Sequence, residues 1–261
     1  MSARAPDGDT ATAPARGVLD GVALALAFLT VIPIRLRGDG RELGSAAVWF
    51  PLVGALVGGL AGATRFYAEP LLGAAVASIL ALAVLVAVTG ALHEDGLADC
   101  ADGLGVRGDR ECRLAVMRDP AIGVFGTLAL LGWALLLAAA LAQLSNAEAL
   151  RALVSAAIVG RWAALLHAVM TPPARPDGLG ATFRVATVPV VVAGVVTVAS
   201  CVLLDGVVAG LVAAAAGALV ALATSAWSST TLGGRTGDTL GATIAVAEVA
   251  VCLTLLGFAA A

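Results

Sequence analysis

Apolar runs of about 20 residues recur along almost the whole chain and constrain its fold more than any other feature. Seven runs have this character: Ala46 to Thr64, Leu71 to Leu92, Ile122 to Leu144, Leu150 to Met170, Val185 to Leu204, Val207 to Trp227 and Leu240 to Ala260. Each is about long enough to cross the ~30 Å hydrocarbon core of a bilayer as an α-helix. Only 13% of the 261 residues are charged, against roughly 25% in an ordinary soluble domain. The sequence therefore predicts an all-α, polytopic membrane protein.

An eighth apolar segment, Val18 to Ile34, leaves the number of crossings open. It is short, and Pro33-Ile34-Arg35 is typical of a helix stop, with no convincing signal-peptide cleavage site. The segment either spans, with the N-terminus outside, or forms an interfacial or re-entrant half-helix, with the N-terminus inside. We expect seven or eight hydrophobic segments in one integral membrane catalytic domain, residues 18–261, after a polar, disordered tail, residues 1–17.

The arginines are distributed unevenly among the connections between apolar runs. Alternate connections hold most of them: Arg35, Arg37, Arg41, Arg107, Arg110, Arg113, Arg118, Arg175, Arg184 and Arg235. The positive-inside rule places these connections in the cytoplasm. We therefore expect a multi-pass protein of the cytoplasmic (inner) membrane whose active site faces the cytoplasm. The four cysteines form no C-x-x-C pair and are predicted to be free thiols.

Four carboxylates occupy the nine residues from Glu94 to Asp102, directly after an apolar run. On a helix, Asp95, Asp99 and Asp102 fall within an arc of about 60°. Because like charges this close repel, a cation is expected to neutralise them. Mg²⁺ is favoured if a substrate phosphate completes its coordination. The alternative is a solvated, negatively charged loop, which the apolar Leu97 in the same stretch argues against.

An Arg-Asp-Pro motif begins the next apolar run. Asp119 and Pro120 suit the N-cap and the first turn of a helix. Arg118 is a candidate for binding a phosphate with two hydrogen bonds near the carboxylates. The alternative is that the motif only caps the helix and supplies a positive-inside arginine.

A glycine-rich motif, Thr231 to Gly241, follows the penultimate run. Gly233 and Gly234 allow backbone N–H groups to point at an anion, and Arg235 adds positive charge. Asp238 either caps the last helix or joins a metal site. A flexible turn between two spans is the alternative interpretation.

Ionisable residues also occur at membrane depth. Arg161, His167 and Glu248 lie within apolar runs, where buried charges are costly and function is the default interpretation. The alternative is a purely structural pair between Arg161 and Glu248. His93, beside the acidic stretch, is either a general base or an interfacial hydrogen-bonding residue.

These motifs, in this order, resemble the cobalamin synthase family, also called adenosylcobinamide-GDP ribazoletransferase, an integral membrane enzyme. The resemblance runs nearly end to end through Phe28-Leu29-Thr30-Val31-Ile32-Pro33, Phe50-Pro51-Leu52-Val53-Gly54, the His93 to Gly103 stretch, Met117-Arg118-Asp119 with Gly123 and Gly126, and Thr231 to Gly241 followed by Glu248. Two positions depart from the family pattern. Glu94 stands where a neutral residue is expected, and Arg235 stands where Gln is expected.

The resemblance implies Mg²⁺-dependent transfer of the adenosylcobinamide-phosphate group from adenosylcobinamide-GDP to α-ribazole, or to its 5′-phosphate, with release of GMP. The candidate metal ligands are Asp95, Asp99, Asp102, Asp238, Glu94 and Glu248. The candidate phosphate ligands are Arg118, Gly233, Gly234, Arg235 and Arg161. The candidates for accepting the proton of the attacking hydroxyl are Asp95, Asp99, Asp102 and His93. On this interpretation Asp102→Asn abolishes transfer.

Two other classes of protein have features in common with this sequence. A CDP-alcohol phosphotransferase would carry D-x-x-D-G-x-x-A-R, but Asp99 stands where that arginine belongs. A transporter using Arg161 and Glu248 would be expected to have inverted repeats, and none is obvious. The expected partners are the two small-molecule substrates and the lipid bilayer, with no nucleic acid, and either a homo-oligomer or an association with other cobalamin-assembly enzymes.

Overall fold

The structure of the protein is a computed structural model that describes residues 18–34 and 44–260. Within these ranges the chain forms α-helices, one short 3-10 helix and no β-strand. The helices are α1 (Val18–Leu29), the 3-10 helix (Ser45–Trp49), α2 (Phe50–Thr89), α3 (Leu92–Gly105), α4 (Arg110–Val116), α5 (Val124–Gln143), α6 (Asn146–Met170), α7 (Leu179–Thr182), α8 (Thr187–Asp205), α9 (Val207–Leu232) and α10 (Gly237–Ala259). The expected all-α, polytopic architecture is confirmed. The tail 1–17, Arg35, Arg37 and Arg41 lie outside the described residues.

Six helices, α2, α5, α6, α8, α9 and α10, are long and apolar enough to cross a membrane. The 40-residue α2 reverses direction at Gly73, whose φ of 78° and ψ of 162° are not helical. At its start the ring of Phe50 stacks on Phe28, and near its end the carbonyl of Val88 accepts a hydrogen bond from Val31. A straight helix of this length would be about 60 Å long and could not bring both ends to the same place. With α2 divided in two, the described residues hold seven long apolar segments, the number of runs that the sequence predicts.

The first helix, α1, stays at one end of the bundle. Its 12 residues make a helix about 18 Å long, shorter than the ~30 Å hydrocarbon core. Gly21 faces the indole of Trp49, and Phe28 stacks on the neighbouring Phe50. Of the two alternatives for this segment, the half-helix fits the described geometry.

One face of the bundle carries the short helices α3, α4 and α7 and the ends of α9 and α10 that contact them. We call it the site face. Arginines join the parts of this face by capping helix ends. Arg113 of α4 donates to the carbonyls of Gly103 and Leu104 at the end of α3. Arg110 donates to the carbonyl of Leu232 at the end of α9, at 2.6 Å. Cations at helix C-termini also interact favourably with the helix dipole. Several of the arginines that predict the cytoplasmic side therefore lie on the site face.

Helix α6 lies at the centre of the bundle. In its most apolar stretch 72% of the residues are buried within the protein, against 28% in α2, α5, α8 and α9. Gly54 and Gly58 of α2 let the two backbones touch, since a Cβ on either would lie 2.5 Å from a carbonyl oxygen of α6. Small residues allow the same close packing in other membrane helices. This position places Arg161 and His167 inside the bundle.

Candidate functional site

The acidic helix α3 packs directly against the start of α10. A Cβ on Gly96 would lie 2.6 Å from the carbonyl oxygen of Asp238, and a Cβ on Gly241 would lie 3.1 Å from that of Leu92. Only glycine permits this backbone contact. The contact brings the carboxylate of Asp238, from the glycine-rich motif, beside the carboxylates of α3.

Four carboxylates form an acidic cluster on the site face: Asp95, Asp99, Asp102 and Asp238. Asp95 is exposed, whereas Asp99 and Asp102 are partly buried. Partial burial, reinforced by repulsion from Asp238, Asp95 and Asp102, raises the pKa of Asp99 from 3.8 to about 7. A bound cation would relieve this repulsion. The structure thus brings together the α3 carboxylates and Asp238, as the sequence predicts.

Asp102 differs from the other three carboxylates because it caps a helix. One of its oxygens accepts the N–H of Gly123 at 2.7 Å, and the other accepts the N–H of Gly126 at 2.8 Å. These N–H groups belong to the N-cap and the first turn of α5, where a negative charge also interacts favourably with the helix dipole. A Cβ on either glycine would clash with the carboxylate. Asp102 and the two glycines of the Met117 to Gly126 motif therefore form one structural unit.

Gly126→Ala is expected to destabilise the protein by roughly 1–3 kcal/mol, because the added methyl group overpacks the space occupied by the Asp102 carboxylate. Gly132→Ala in the same helix is the matched control, since a Cβ there meets nothing within 4 Å. That change should be neutral or stabilise α5 by up to ~1 kcal/mol. Thermal unfolding of both variants in one detergent measures the difference, and equal midpoints would contradict the proposed contact.

The donor set of the acidic cluster fits Mg²⁺ that is shared with a substrate. Among residues 18–34 and 44–260, no three Asp, Glu, His or Cys side chains are grouped so that they could hold a metal ion alone. Mg²⁺ is usually bound through one or two carboxylates together with substrate phosphates and water. Asp95, Asp99 and Asp238 offer only oxygen ligands, which Mg²⁺ prefers. These residues fit an ion that needs the substrate to complete its coordination.

A cavity of about 220 Å³ adjoins the acidic cluster at Asp238. Its lining residues are Met117, Arg118, Arg175, Asp177, Gly178, Gly180, Arg235, Thr236, Gly237 and Asp238. Arg175 donates to a carboxylate oxygen of Asp238 at 3.3 Å, and Arg118 is paired with Asp177. The first turn of α10 adds the positive end of its dipole. The cavity thus offers positive groups to an anion directly beside carboxylates that suit a cation.

Arg235 holds a loop in place. We call residues 171–183 the strap. The buried guanidinium donates to the carbonyls of Thr171 and Phe183, at the two ends of the strap. Its backbone N–H donates to Pro172, and its carbonyl accepts from Ala174. The predicted role of Arg235 as a phosphate ligand fits this arrangement poorly, because the guanidinium is buried and both of its terminal nitrogens already donate to the backbone of the strap.

Gly233 and Gly234 do not form the predicted phosphate cradle. Gly233, at φ 73°, ends α9 in the left-handed conformation, and both backbone N–H groups donate to the carbonyl of Ser228. A Cβ on Gly234 would clash with the carbonyl of Pro172 in the strap. The glycines therefore serve a tight turn and a close backbone contact. Arg118, Arg175 and the start of α10 are the positive groups of the cavity that are not bound to backbone carbonyls.

Four ionisable side chains form a buried cluster between α3, α6 and α10: His93, Glu94, Arg161 and Glu248. All are at most 5% exposed, and Arg161 donates to Glu248. Burial raises the pKa of Glu94, although Arg161 partly opposes the shift. Burial and then Arg161 lower the pKa of His93 well below its usual value. Of the two interpretations of Arg161 and Glu248, a purely structural ion pair fits this burial best.

This burial does not suit the catalytic and ligand roles that the sequence suggests for these residues. Arg161 is fully buried and hydrogen-bonded within the bundle, so it does not line the cavity. Glu94 and Glu248 are buried beside Arg161, so the predicted role of these two carboxylates as metal ligands fits poorly. His93, which is 1% exposed, is too enclosed to meet an attacking hydroxyl.

His167 is a hydrogen-bonded residue of the interior. Its Nδ1 lies 2.8 Å from the hydroxyl of Thr243, and its Nε2 lies 3.1 Å from that of Ser228. The ring therefore joins α6, α9 and α10. This accounts for a polar side chain at membrane depth without a catalytic role.

Sequence reasoning missed Asp177 and the role of Arg175. Asp177 pairs with a residue 59 positions away, and Arg175 pairs with one 63 positions away. The segment 172–178 is rich in turn-forming residues, which indicates a loop but not what the loop contacts. The one available signal was two oppositely charged residues in a connection on the same predicted side as the acidic stretch.

The comparisons with known proteins agree along nearly the whole chain. The family model described as cobalamin-5-phosphate synthase matches residues 21–256. An adenosylcobinamide-GDP ribazoletransferase of Mesorhizobium japonicum is 40% identical over 244 residues, covering 91% of this chain and 93% of the relative. Proteins of the same name from Sinorhizobium medicae and Roseiflexus sp. are 41% and 38% identical over 250 and 235 residues, covering 89% and 88% of this chain and 94% and 87% of the relatives. No solved structure matches the chain.

Proposed function

Since the chain belongs to the cobalamin-5-phosphate synthase family, we propose that it transfers the adenosylcobinamide-phosphate group from adenosylcobinamide-GDP to α-ribazole or its 5′-phosphate and releases GMP. It is a transferase in cobalamin biosynthesis, like the relatives that carry the ribazoletransferase name. The observation that carries the detailed proposal is the junction at Asp238. There the acidic cluster meets the arginine-lined cavity, so a cation and a pyrophosphate would lie side by side.

Each part of the site has a proposed task. Asp95, Asp99 and Asp238 would hold Mg²⁺, which when bound neutralises charge on the pyrophosphate and on the leaving GMP. Arg118, Arg175 and the first turn of α10 bind the non-bridging phosphate oxygens, on which negative charge builds up as the bond to GMP breaks.

The acceptor hydroxyl must lose a proton as it attacks the phosphorus. Asp99, with a pKa of about 7, is the carboxylate best matched to accept that proton near neutral pH. Asp99 must be ionised both to accept a proton and to bind Mg²⁺. The pKa of about 7 applies to the cluster without a cation, so Asp99 is matched to accept the proton where Mg²⁺ is held chiefly by Asp95 and Asp238.

The direct test follows the products of purified protein in detergent or liposomes. We expect GMP to be released from adenosylcobinamide-GDP only when both α-ribazole and Mg²⁺ are present, with the corrinoid phosphate appearing on the ribazole. Release of GMP without an acceptor would instead indicate a hydrolase. No release of GMP under any of these conditions would sink the proposal.

The rate of transfer is expected to depend on the charge of Asp99. Because its pKa is raised to about 7, the carboxylate is increasingly protonated as the pH falls below 7. With α-ribazole as the acceptor, kcat/KM should fall about tenfold per pH unit well below pH 7 and level off above it. Raising the Mg²⁺ concentration should move the midpoint to lower pH if Asp99 binds the ion, since metal and proton compete. At limiting Mg²⁺, a flat profile from pH 5.5 to 8 would contradict the assignment.

We further propose that the site face is the cytoplasmic side of the inner membrane. The arginines of the described connections concentrate there, in accordance with the positive-inside rule. The exposed thiol of Cys112 in α4 provides a natural probe, because the other three cysteines are buried. A membrane-impermeant maleimide should label Cys112 in inverted vesicles and not in intact cells. The reverse pattern would overturn this orientation.

A further inference from the structure

Arg118 is paired with a carboxylate in the cavity. Its Nη2 lies 3.0 Å from one oxygen of Asp177 and 2.8 Å from the other. Both side chains line the cavity and are more than half exposed, at 54% and 63%. A carboxylate and a phosphate offer similar oxygen acceptors to a guanidinium group. Asp177 therefore contacts Arg118 where a phosphate of the substrate would be expected to bind.

The strap holds Asp177 between two fixed ends. Arg235 binds the carbonyls of Thr171 and Phe183, at opposite ends of the strap. Gly178, directly after Asp177, has a φ of 81°, and a Cβ there would meet nothing within 4 Å. The strap is thus open at Gly178, and the Asp177 side chain is itself 63% exposed, so this carboxylate can leave Arg118 while the ends of the strap remain in place.

Charge makes the two occupants of Arg118 mutually exclusive. The cavity lining carries three arginines, Arg118, Arg175 and Arg235, and two aspartates, Asp177 and Asp238. A phosphate bound at Arg118 would lie against the Asp177 carboxylate, and like charges this close repel. The pair between Arg118 and Asp177 is exposed, and exposed pairs are weak enough to be replaced by a more highly charged anion.

We propose that Asp177 is a built-in competitor for Arg118 that sets the affinity of the cavity for phosphate groups. It orders the arginine when the cavity is free, gives way to the diphosphate of the substrate, and takes the arginine back as GMP leaves. Asp177 therefore favours product release at a small cost in substrate affinity. This inference rests on the proposed function for the identity of the nucleotide, although the competition itself needs only an anion that binds Arg118.

The test compares anion binding by the full chain in detergent, measured by calorimetry with GMP and with inorganic pyrophosphate. Asp177→Asn should lower the Kd for both by about two- to fivefold, the range expected for loss of an exposed ion pair. Asp119→Asn is the matched control. It makes the same charge change next to Arg118, but Asp119 accepts the N–H of Ala121 and does not line the cavity. Its Kd should not differ measurably from that of the starting protein, because Asp119 does not pair with Arg118.

Repeating the substitution in a variant that lacks Arg118 shows whether Asp177 acts on anion binding through that arginine. In Arg118→Gln protein, Asp177→Asn should leave both Kd values unchanged. The inference is overturned if Asp177→Asn weakens binding, leaves it unchanged, or tightens it equally without Arg118. If pyrophosphate shows the expected pattern but the protein transfers no corrinoid phosphate, the competitor stands and the proposed function falls. If transfer occurs and Asp177 has no effect, the proposed function stands and the competitor falls.

Discussion

Asp99→Asn is expected to lower the rate of corrinoid transfer by about 10²–10³-fold, the range seen when one preorganised electrostatic contact to a transition state is removed. The substitution keeps the size of the side chain but removes the charge that both Mg²⁺ binding and proton acceptance need. Asp99 lies at the centre of the acidic cluster, where Asp95, Asp102 and Asp238 all influence its pKa. The measurement is GMP release under saturating substrates and Mg²⁺.

Asp102→Asn is the matched control. It separates the catalytic role proposed for Asp99 from the role of Asp102 in capping α5. Its two oxygens accept the N–H groups of Gly123 and Gly126, and an asparagine keeps only one of those acceptors. We now expect this variant to lose thermal stability, by roughly 1.5–3 kcal/mol for a hydrogen bond to a charged group, and to lose less transfer activity than Asp99→Asn. Near-normal turnover by Asp99→Asn at ordinary Mg²⁺ would overturn the metal assignment.

Arg161→Met is expected to destabilise the folded protein by about 3–5 kcal/mol, because it removes one partner of a buried ion pair. The fully buried guanidinium donates to Glu248 and is also near Glu94, whose pKa it influences. Without the arginine both carboxylates would stay buried without a positive partner. The measurement is the thermal unfolding midpoint in a single detergent.

A second change tests whether the loss comes from unpaired charge. Adding Glu248→Gln to Arg161→Met removes one of the stranded carboxylates and should recover part of the stability. The double variant should therefore unfold at a higher temperature than Arg161→Met alone. If Arg161→Met unfolds at the same temperature as the starting protein, the pair contributes nothing to the fold.

The fold was largely predictable because membrane crossings have a fixed length. The bilayer demands about 20 apolar residues per helix, so the runs themselves indicate the spans. The reversal at Gly73 divides α2 where two of the predicted runs, ending at Thr64 and beginning at Leu71, come close together. The position of α6 at the centre was not predictable, because it depends on which small residues meet across helices.

The acidic cluster was predictable because helical periodicity alone places Asp95, Asp99 and Asp102 on one face. The same rule places His93 and Glu94 away from the face that carries these three carboxylates, since they lie about 200° and 100° around the helix from Asp95. Their position on the buried side was thus present in the sequence, and only their partner Arg161 was not evident.

The glycine-rich motif was misjudged because a pattern of glycines and charges specifies flexibility and not a hydrogen-bond partner. The N–H groups of Gly233 and Gly234 were expected to face an anion, but they donate to the carbonyl of Ser228. Arg235 likewise binds carbonyls of the strap, at residues 52 and 64 positions away. Such pairings between distant residues follow from tertiary packing, which local spacing does not encode.

The pairing of Arg161 with Glu248 also has a consequence for the synthesis and membrane insertion of the chain. The two residues are 87 positions apart, so at 5–20 residues per second the ribosome makes the glutamate roughly 4–17 s after the arginine. During that interval α6 enters the bilayer with an arginine whose insertion costs about 2.5–3.5 kcal/mol and whose hydrogen-bonding partner Glu248 does not yet exist. Helix α2, already synthesised, can shelter one side of α6 through Gly54 and Gly58. A nascent chain that stops before Glu248 therefore has only Glu94, of the two carboxylates near Arg161, to offset the buried positive charge.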